Sequence, residues 1–332
     1  MSMQAWVLDQ PGSPSSLRLA EVPRPQPLPH QVQVNVYAVG LNPVDYKLAA
    51  TGHPNWAYPF ILGLDVAGVI SDIGSAVTDW QVGEAVYYHG DLSQPGGFAE
   101  YALTTAHTLA PLPGGLSYPA AAAVPCAGWT AYQALYRKLH IQAGQTILVH
   151  GGAGGVGGFA VQLAALAGLR VFSTCSTHNH DYVRGLGAAE VIDYRHEDVG
   201  ARVLDLTDGR GVDAIVDTVS RASATAGLHW LAYGGGIACV ADLPDIEQIP
   251  PFTKAFSVHE IALGAAHLSG DPLAPLDLAR MGREMGSLLT QGKISPMLEQ
   301  VVDFQGIPTA LEHLAHHHPR GKIVAQLVTT TD

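Results

Sequence analysis

Gly152, Gly154 and Gly157 stand at the spacing G-x-G-x-x-G, after a β-branched run at 146–149 and before an apolar stripe at helical spacing: Val156, Ala160, Leu163, Ala164 and Ala167. Missing side chains let the backbone turn tightly and approach a pyrophosphate. The start of the helix then offers that charge its N–H groups and the positive end of its dipole. The chemistry this pattern supports is dinucleotide binding, with Gly155 and Val156 completing the loop. An NAD-specific site places an Asp or Glu about 20 residues further on, at the end of the next strand, to hold the adenosine ribose. Here residues 170–180 bring Ser176, Thr177 and His178 to that place, and Asp181 falls inside the following helix. Hydroxyl and imidazole groups can bond to a 2′-phosphate that a carboxylate would repel, so the expected cofactor is NADPH.

The chain that positions these residues has 332 of them, 47% hydrophobic and 14% charged, which is ample for a large core and excludes a disordered chain. A net charge of −12 without a basic block argues against nucleic acid or an anionic membrane as partner. No uninterrupted apolar run reaches spanning length, since Pro125 and Gly128 break the alanine-rich stretch at 120–132. The opening residues lack a signal-peptide pattern. Cys126, Cys175 and Cys239 are far apart and form no CxxC, so a reduced, cytoplasmic protein is expected.

Strand patterns at 4–8, 31–39, 66–73, 84–88 and 98–104, with a stiff proline connector at 23–29, make the first third a β-rich module. Strands at 146–149, 170–174, 190–192, 214–219 and 237–241 alternate with helix-compatible segments, the pattern of a doubly wound parallel sheet. A strand-like segment at 257–263 closes that sheet. Helices at 276–291 and 308–317 and a strand at 323–328 complete the chain.

Six separated motifs in this order resemble the medium-chain dehydrogenase/reductase superfamily over essentially the whole chain. They are Gly40-Leu-Asn-Pro-Val-Asp-Tyr-Lys47, Gly63-Leu-Asp-Val-Ala-Gly68, Gly96-Gly-Phe-Ala-Glu-Tyr101, Ala127-Gly-Trp-Thr-Ala-Tyr132, the glycine loop and the segment 213–219. The chain is most similar to the zinc-independent quinone oxidoreductase branch. That resemblance implies an α/β fold: a GroES-like β-rich catalytic domain at 1–123, a Rossmann domain with a doubly wound parallel sheet at 124–267, and a return segment at 268–332 that completes the first domain. It also implies an active site in the cleft between domains.

The resemblance also locates the missing metal. Asn42 stands where zinc-containing relatives have a cysteine, Leu64 and Asp65 stand where they have His-Glu, and only Cys126 coincides with a ligand position. One thiolate with an amide and a leucine makes no tetrahedral site, so no metal is expected, and Cys126 reads as a small buried hydrophobe. His313, His316, His317 and His318 crowd the last helix, with no carboxylate counted among them, and read as a solvated, weakly chelating face.

By the same resemblance, hydride passes from NADPH to a small apolar carbonyl or quinone. Asn42 is the candidate hydrogen-bond donor to the substrate oxygen. Asp45 is more a holder of its loop than a proton carrier, and Tyr46 and Lys47 are candidate proton sources. Thr130 is implied to lie beside the nicotinamide, and Tyr194 to flank the 2′-phosphate, near which a lysine of relatives is replaced by His178. Phe98, Trp56, Tyr58 and Trp129 are candidate aromatic walls for a flat substrate. The segment around Ile261 is expected to pair with its copy across a two-fold axis, giving a homodimer. Two other readings stay open: a zinc-type alcohol dehydrogenase, and an NADPH-binding protein with little turnover.

Overall fold

The computed structural model describes residues 1–317 and 319–328. The chain packs as two units, Met1–Trp129 with Gly264–Asp332, and Thr130–Leu263. The first unit opens with strands β1 (Ser2–Leu8), β2 (Arg18–Pro23), β3 (Gln31–Leu41), β4 (Phe60–Ile61), β5 (Asp65–Ile73), β6 (Ala85–His89), β7 (Tyr101–Thr105) and β8 (Ala110–Pro111). Strand β1 joins β2 and β4 in a small antiparallel sheet, and β3 is central to a larger one, flanked by β5 and β7. Alternating valines make β3 a core strand. Val32, Val34 and Val36 enter one cluster with Ile70, Val86 and Phe98. A register slip between Val36 and Ala38 then exchanges the faces, so that Val39 and Leu41 reach the same cluster.

The second unit holds β9 (Thr146–His150), β10 (Arg170–Cys175), β11 (Glu190–Asp193), β12 (Val212–Asp217), β13 (Leu231–Cys239) and β14 (Ser257–Glu260). All pair in parallel in the order β11-β10-β9-β12-β13-β14, so the winding reverses between β9 and β12, the arrangement expected of a Rossmann sheet. Continuous apolar runs such as Ile147–Leu148–Val149 are buried on both faces, which a parallel sheet under helices requires. Strand β13 begins six residues before the expected 237. The glycines Gly234 to Gly236 read as a break, yet Leu231 pairs with Val212 and a register shift absorbs the irregularity.

The return segment contains the helices Leu273–Thr290 and Ile307–His316 and strands β15 (Leu298–Asp303) and β16 (Lys322–Gln326). Strand β16 lies antiparallel to β3 and parallel to β15, extending the large sheet of the first unit to seven strands. No helix among the described residues is long and apolar enough to cross a membrane.

Candidate active site

Asn42 follows β3 directly and caps the helix Pro43–Thr51, in extended conformation with Pro43 at the first helical position. Its backbone N–H donates to Asp45 Oδ2 at 2.8 Å, and the Asp45 N–H returns a bond to the Asn42 carbonyl at 3.0 Å. Asp45 is thus bonded reciprocally to the residue that caps its own helix. Asp65, first in β5 and opposite Gly40 of β3, accepts from Asn42 Nδ2 at 2.9 Å and from the Cys126 backbone N–H at 2.8 Å. Lys322, first in β16, donates through Nζ to Asn42 Oδ1 and to the Leu41 carbonyl, the latter at 3.1 Å, and lies 3.7 Å from Asp65 Oδ2. An ammonium on one end of the Asn42 amide and a carboxylate on the other leave one orientation for it. Its second amide hydrogen faces the Gly40 carbonyl at 3.5 Å, so both hydrogens point inward.

Asn42, Asp45, Asp65 and Lys322 are all buried. Burial pushes the Asp45 carboxyl up to about 7, against bonds from the Asn42 and Gly63 amides and the pull of Lys322. Burial raises Asp65 to about 6, with Lys322 and the Asn42 amide opposing it. Breaking such a buried ion pair from one side leaves an uncompensated charge, a loss on the order of 3–5 kcal/mol.

Tyr46 is half-buried, its phenol pushed up by burial, and Lys47 is exposed on the same helix. Two of the four candidate aromatic walls belong to the core instead. Phe98 is fully buried against Gly63, and Trp129, at the end of the π-helical turn Pro125–Trp129, is fully buried against Tyr87 and Gly282. Trp56 stacks on Phe60 at 4.0 Å between ring centroids, and Tyr58 keeps partial exposure.

In the second unit each loop glycine answers a different contact. A Cβ at Gly152 would lie 2.0 Å from Ser173 Oγ, and one at Gly157 would lie 2.2 Å from the Gly151 carbonyl. A Cβ at Gly154 would meet only the Gly151 carbonyl at 3.5 Å, so this residue borders open space. Gly154 caps the helix Gly155–Leu166 without any side-chain bond, which leaves the first N–H groups, at Gly155 and Val156, without an intrahelical acceptor. That cradle fits a nicotinamide dinucleotide's pyrophosphate. Thr130, the first residue of this unit, is buried.

The pairing of Cys175 with Asp193 sets the ends of β10 and β11 side by side. Ser176 is buried with its hydroxyl 3.3 Å from His178 Nδ1, while Thr177, His178 and Tyr194 are exposed. An acid unnoticed in the sequence stands here: Asp193, on the neighbouring strand. Thr177 Oγ1 donates to it, as do His196 Nδ1 at 2.9 Å and the Arg195 amide at 2.9 Å, and these bonds hold its carboxyl well below the usual range. Arg195 donates to the Tyr194 hydroxyl at 3.3 Å and brings a guanidinium to the same rim.

Two metal questions have structural answers. The last helix does include a carboxylate beside its histidines: Glu312 lies 3.3 Å from His316 Nε2, one helical turn away, and His313 faces His317 at 4.8 Å between rings. The expectation of a cluster without an acid overlooked this i, i+4 neighbour. His318 lies outside the described residues. The set that brings three ligand types together is instead Asp65, His89 and Cys126, whose ligand atoms lie within 4.8 Å of one another. His89 is buried, its Nδ1 has no hydrogen-bond partner, and burial lowers its imidazole to about 3. Burial pushes the Cys126 thiol far up. Both Asp65 oxygens are already engaged, by Asn42 Nδ2 and the Cys126 N–H, with the buried Lys322 ammonium 3.7 Å away, so this set as it stands does not fit zinc. Lys322 and His89 escaped sequence reading. The available signal was a lysine opening an otherwise apolar strand, Lys322-Ile-Val-Ala.

Residues 28–114 match the alcohol dehydrogenase GroES-like domain, and residues 186–324 match a family described as zinc-binding dehydrogenase. The quinone oxidoreductase of Lama guanicoe is 31% identical over 332 residues, covering 98% of each chain. That of Homo sapiens is 34% identical over 247 residues, 74% of each chain. Among solved structures, an alcohol dehydrogenase superfamily protein from Novosphingobium aromaticivorans matches with a TM-score of 0.90 at 30% identity, covering 98% of this chain and all of that one (100%). The quinone oxidoreductase from Coxiella burnetii matches with a TM-score of 0.84 at 28% identity, covering 99% and 100%. With a GroES-like unit, a Rossmann sheet and these relatives, the chain belongs to the medium-chain dehydrogenase/reductase superfamily, as a quinone oxidoreductase-like, NAD(P)H-dependent oxidoreductase.

Proposed function

We propose that this protein is a zinc-independent, homodimeric reductase that passes hydride from NADPH to a small apolar quinone or to the β-carbon of an α,β-unsaturated carbonyl. The observation that carries the cofactor reading is the rim formed by β10 and β11. Ser176 and His178 stand where an NAD-specific site has its acid, and the nearby Asp193 is already bonded to Thr177, His196 and the Arg195 amide. Ser176, His178 and the Arg195 guanidinium beside Tyr194 support the extra phosphate of NADPH over a bare ribose, against the ionised Asp193 carboxylate nearby.

Bound nicotinamide supplies the hydride, and the residues of this chain orient it and provide the proton. Gly154, Gly155, Val156 and Gly157 receive the pyrophosphate, Thr130 lines the nicotinamide, and Tyr194 flanks the 2′-phosphate. Asn42 and Asp45 shape the catalytic loop, and Tyr46 and Lys47 are the groups that deliver the proton after hydride transfer. A panel of quinones and enones followed by NADPH absorbance tests the reading. Chelator-resistant turnover is expected. Oxidation of simple alcohols that stops with a chelator, or NADPH binding with no turnover on any acceptor, would overturn it.

A further inference from the structure

The end of the helix Ile307–His316 carries two imidazoles that no step of the proposed reduction uses. His313 and His317 stand one turn apart, and the His317 N–H closes that turn on the His313 carbonyl at 2.8 Å. Both side chains are exposed, and their rings lie 4.8 Å apart between centroids with 33° between the planes. An imidazole nitrogen binds a zinc-like divalent cation at about 2.0–2.1 Å, which places the ring centre roughly 3.2 Å from the ion. Two rings side by side on one ion, about 90–110° apart, therefore have centres about 4.5–5.2 Å apart. The turn already holds this pair at the spacing of a chelate.

A third histidine of this face is engaged elsewhere. Glu312 Oε1 accepts from the Ser15 N–H at 2.9 Å, and Glu312 Oε2 lies 3.3 Å from His316 Nε2. The carboxylate is thus anchored by a distant segment and occupies His316 rather than the pair. We propose that His313 and His317 form a surface site for one late first-row divalent cation, copper, nickel or zinc, with water in the remaining positions. Neutral imidazole suits all three ions, and a nitrogen site holds copper most tightly. A net charge of −12 draws cations toward the protein. An ion across the turn binds the closed helix end better than it binds the unfolded chain, so it stabilises the fold.

Ni²⁺ is the probe, titrated calorimetrically into protein first stripped with a chelator, with thermal melts alongside. The parent should bind one Ni²⁺ at this site and melt higher in its presence. His313→Ala and His317→Ala should each weaken binding at least about tenfold, because the tethered second ligand is lost, and should cancel the rise. His316→Ala should keep parental binding. The side chains are exposed, so these substitutions leave the core intact. A parent with no melting rise in Ni²⁺ overturns the proposal, as does a double variant, His313→Ala with His317→Ala, that binds like the parent. A loss of binding in His316→Ala equal to that in His313→Ala overturns the assignment to this pair. Binding and melting are read without turnover, so their outcome stands apart from the reductase reading.

Discussion

Lys322 donates a hydrogen bond to the side-chain oxygen of Asn42, a residue 280 positions earlier in the chain. The last strand therefore delivers a charge to the cap of the first helix. The return segment completes the first unit electrostatically as well as by pairing β16 with β3. The site's rigidity follows, since each end of the Asn42 amide meets a group of opposite character.

That arrangement makes the stability of the protein depend on pH in a defined direction. Burial raises Asp45 to about 7 and Asp65 to about 6, so the folded protein binds these protons more tightly than the unfolded chain does. Their contribution is complete below the unfolded value of 3.8 and is lost as pH rises through the folded values. Asp45→Asn keeps an oxygen for the helix cap but has no charge to bury. Its melting temperature should fall less steeply than the parent's between about pH 4 and about pH 8, a difference equivalent to roughly 2–4 kcal/mol. Equal pH slopes for parent and variant in thermal melts would remove Asp45 as the source.

The fold was largely legible because both period signals were strong: alternating valines in β3, and doubly buried runs beside a glycine loop in β9. The loop's backbone geometry was legible for the same reason, as glycine spacing reports close approach. What escaped reading were partners brought together from distant segments. Nothing near Asn42 in sequence announces Lys322, and nothing after Thr174 announces that Asp193 would bond Thr177 across two strands. Phe98 and Trp129 misled because an aromatic residue near a motif looks the same in sequence whether it lines a site or fills a core.

The glycine loop separates folding from binding. Gly154→Ala adds a methyl group that meets only the Gly151 carbonyl at 3.5 Å, so thermal stability should change by less than about 1 kcal/mol. The same methyl group stands where a pyrophosphate approaches, and NADPH affinity should fall by about tenfold or more. Gly152→Ala, 2.0 Å from Ser173 Oγ, should instead cost roughly 1–3 kcal/mol of stability through overpacking. Calorimetric titration beside thermal melts checks both. A Gly154→Ala protein with parental NADPH affinity would show that the cofactor lies elsewhere.

Ser176 tests the cofactor choice. Its buried hydroxyl sits at the end of β10, and Ser176→Asp would place a carboxylate there. The parent should bind NADPH at least about tenfold more tightly than NADH, and the variant should invert that order by repelling the 2′-phosphate. Fluorescence titration with both cofactors is sufficient. Equal affinities in the parent, or an unchanged preference in the variant, would refute the assignment of this rim.

The open edge of the Rossmann sheet tests the dimer. Ile261 lies just past β14, and its N–H donates to the Cys239 carbonyl of β13 at 3.0 Å. Ile261→Pro would break a bond within the chain and destabilise the protein whether or not it dimerises. Backbone direction alternates along a strand, so with Ile261 and His259 facing β13, Val258 and Glu260 turn their N–H groups toward the open edge. Proline is tolerated in an edge strand where its missing N–H faces outward. Val258→Pro should therefore melt within about 1 kcal/mol of the parent while losing a donor that a second copy of the strand needs. Sedimentation should show a two-chain particle for the parent and a shift to a single chain for Val258→Pro. A single-chain parent would end the homodimer reading, whereas a variant that remains dimeric with parental stability would place the interface away from β14.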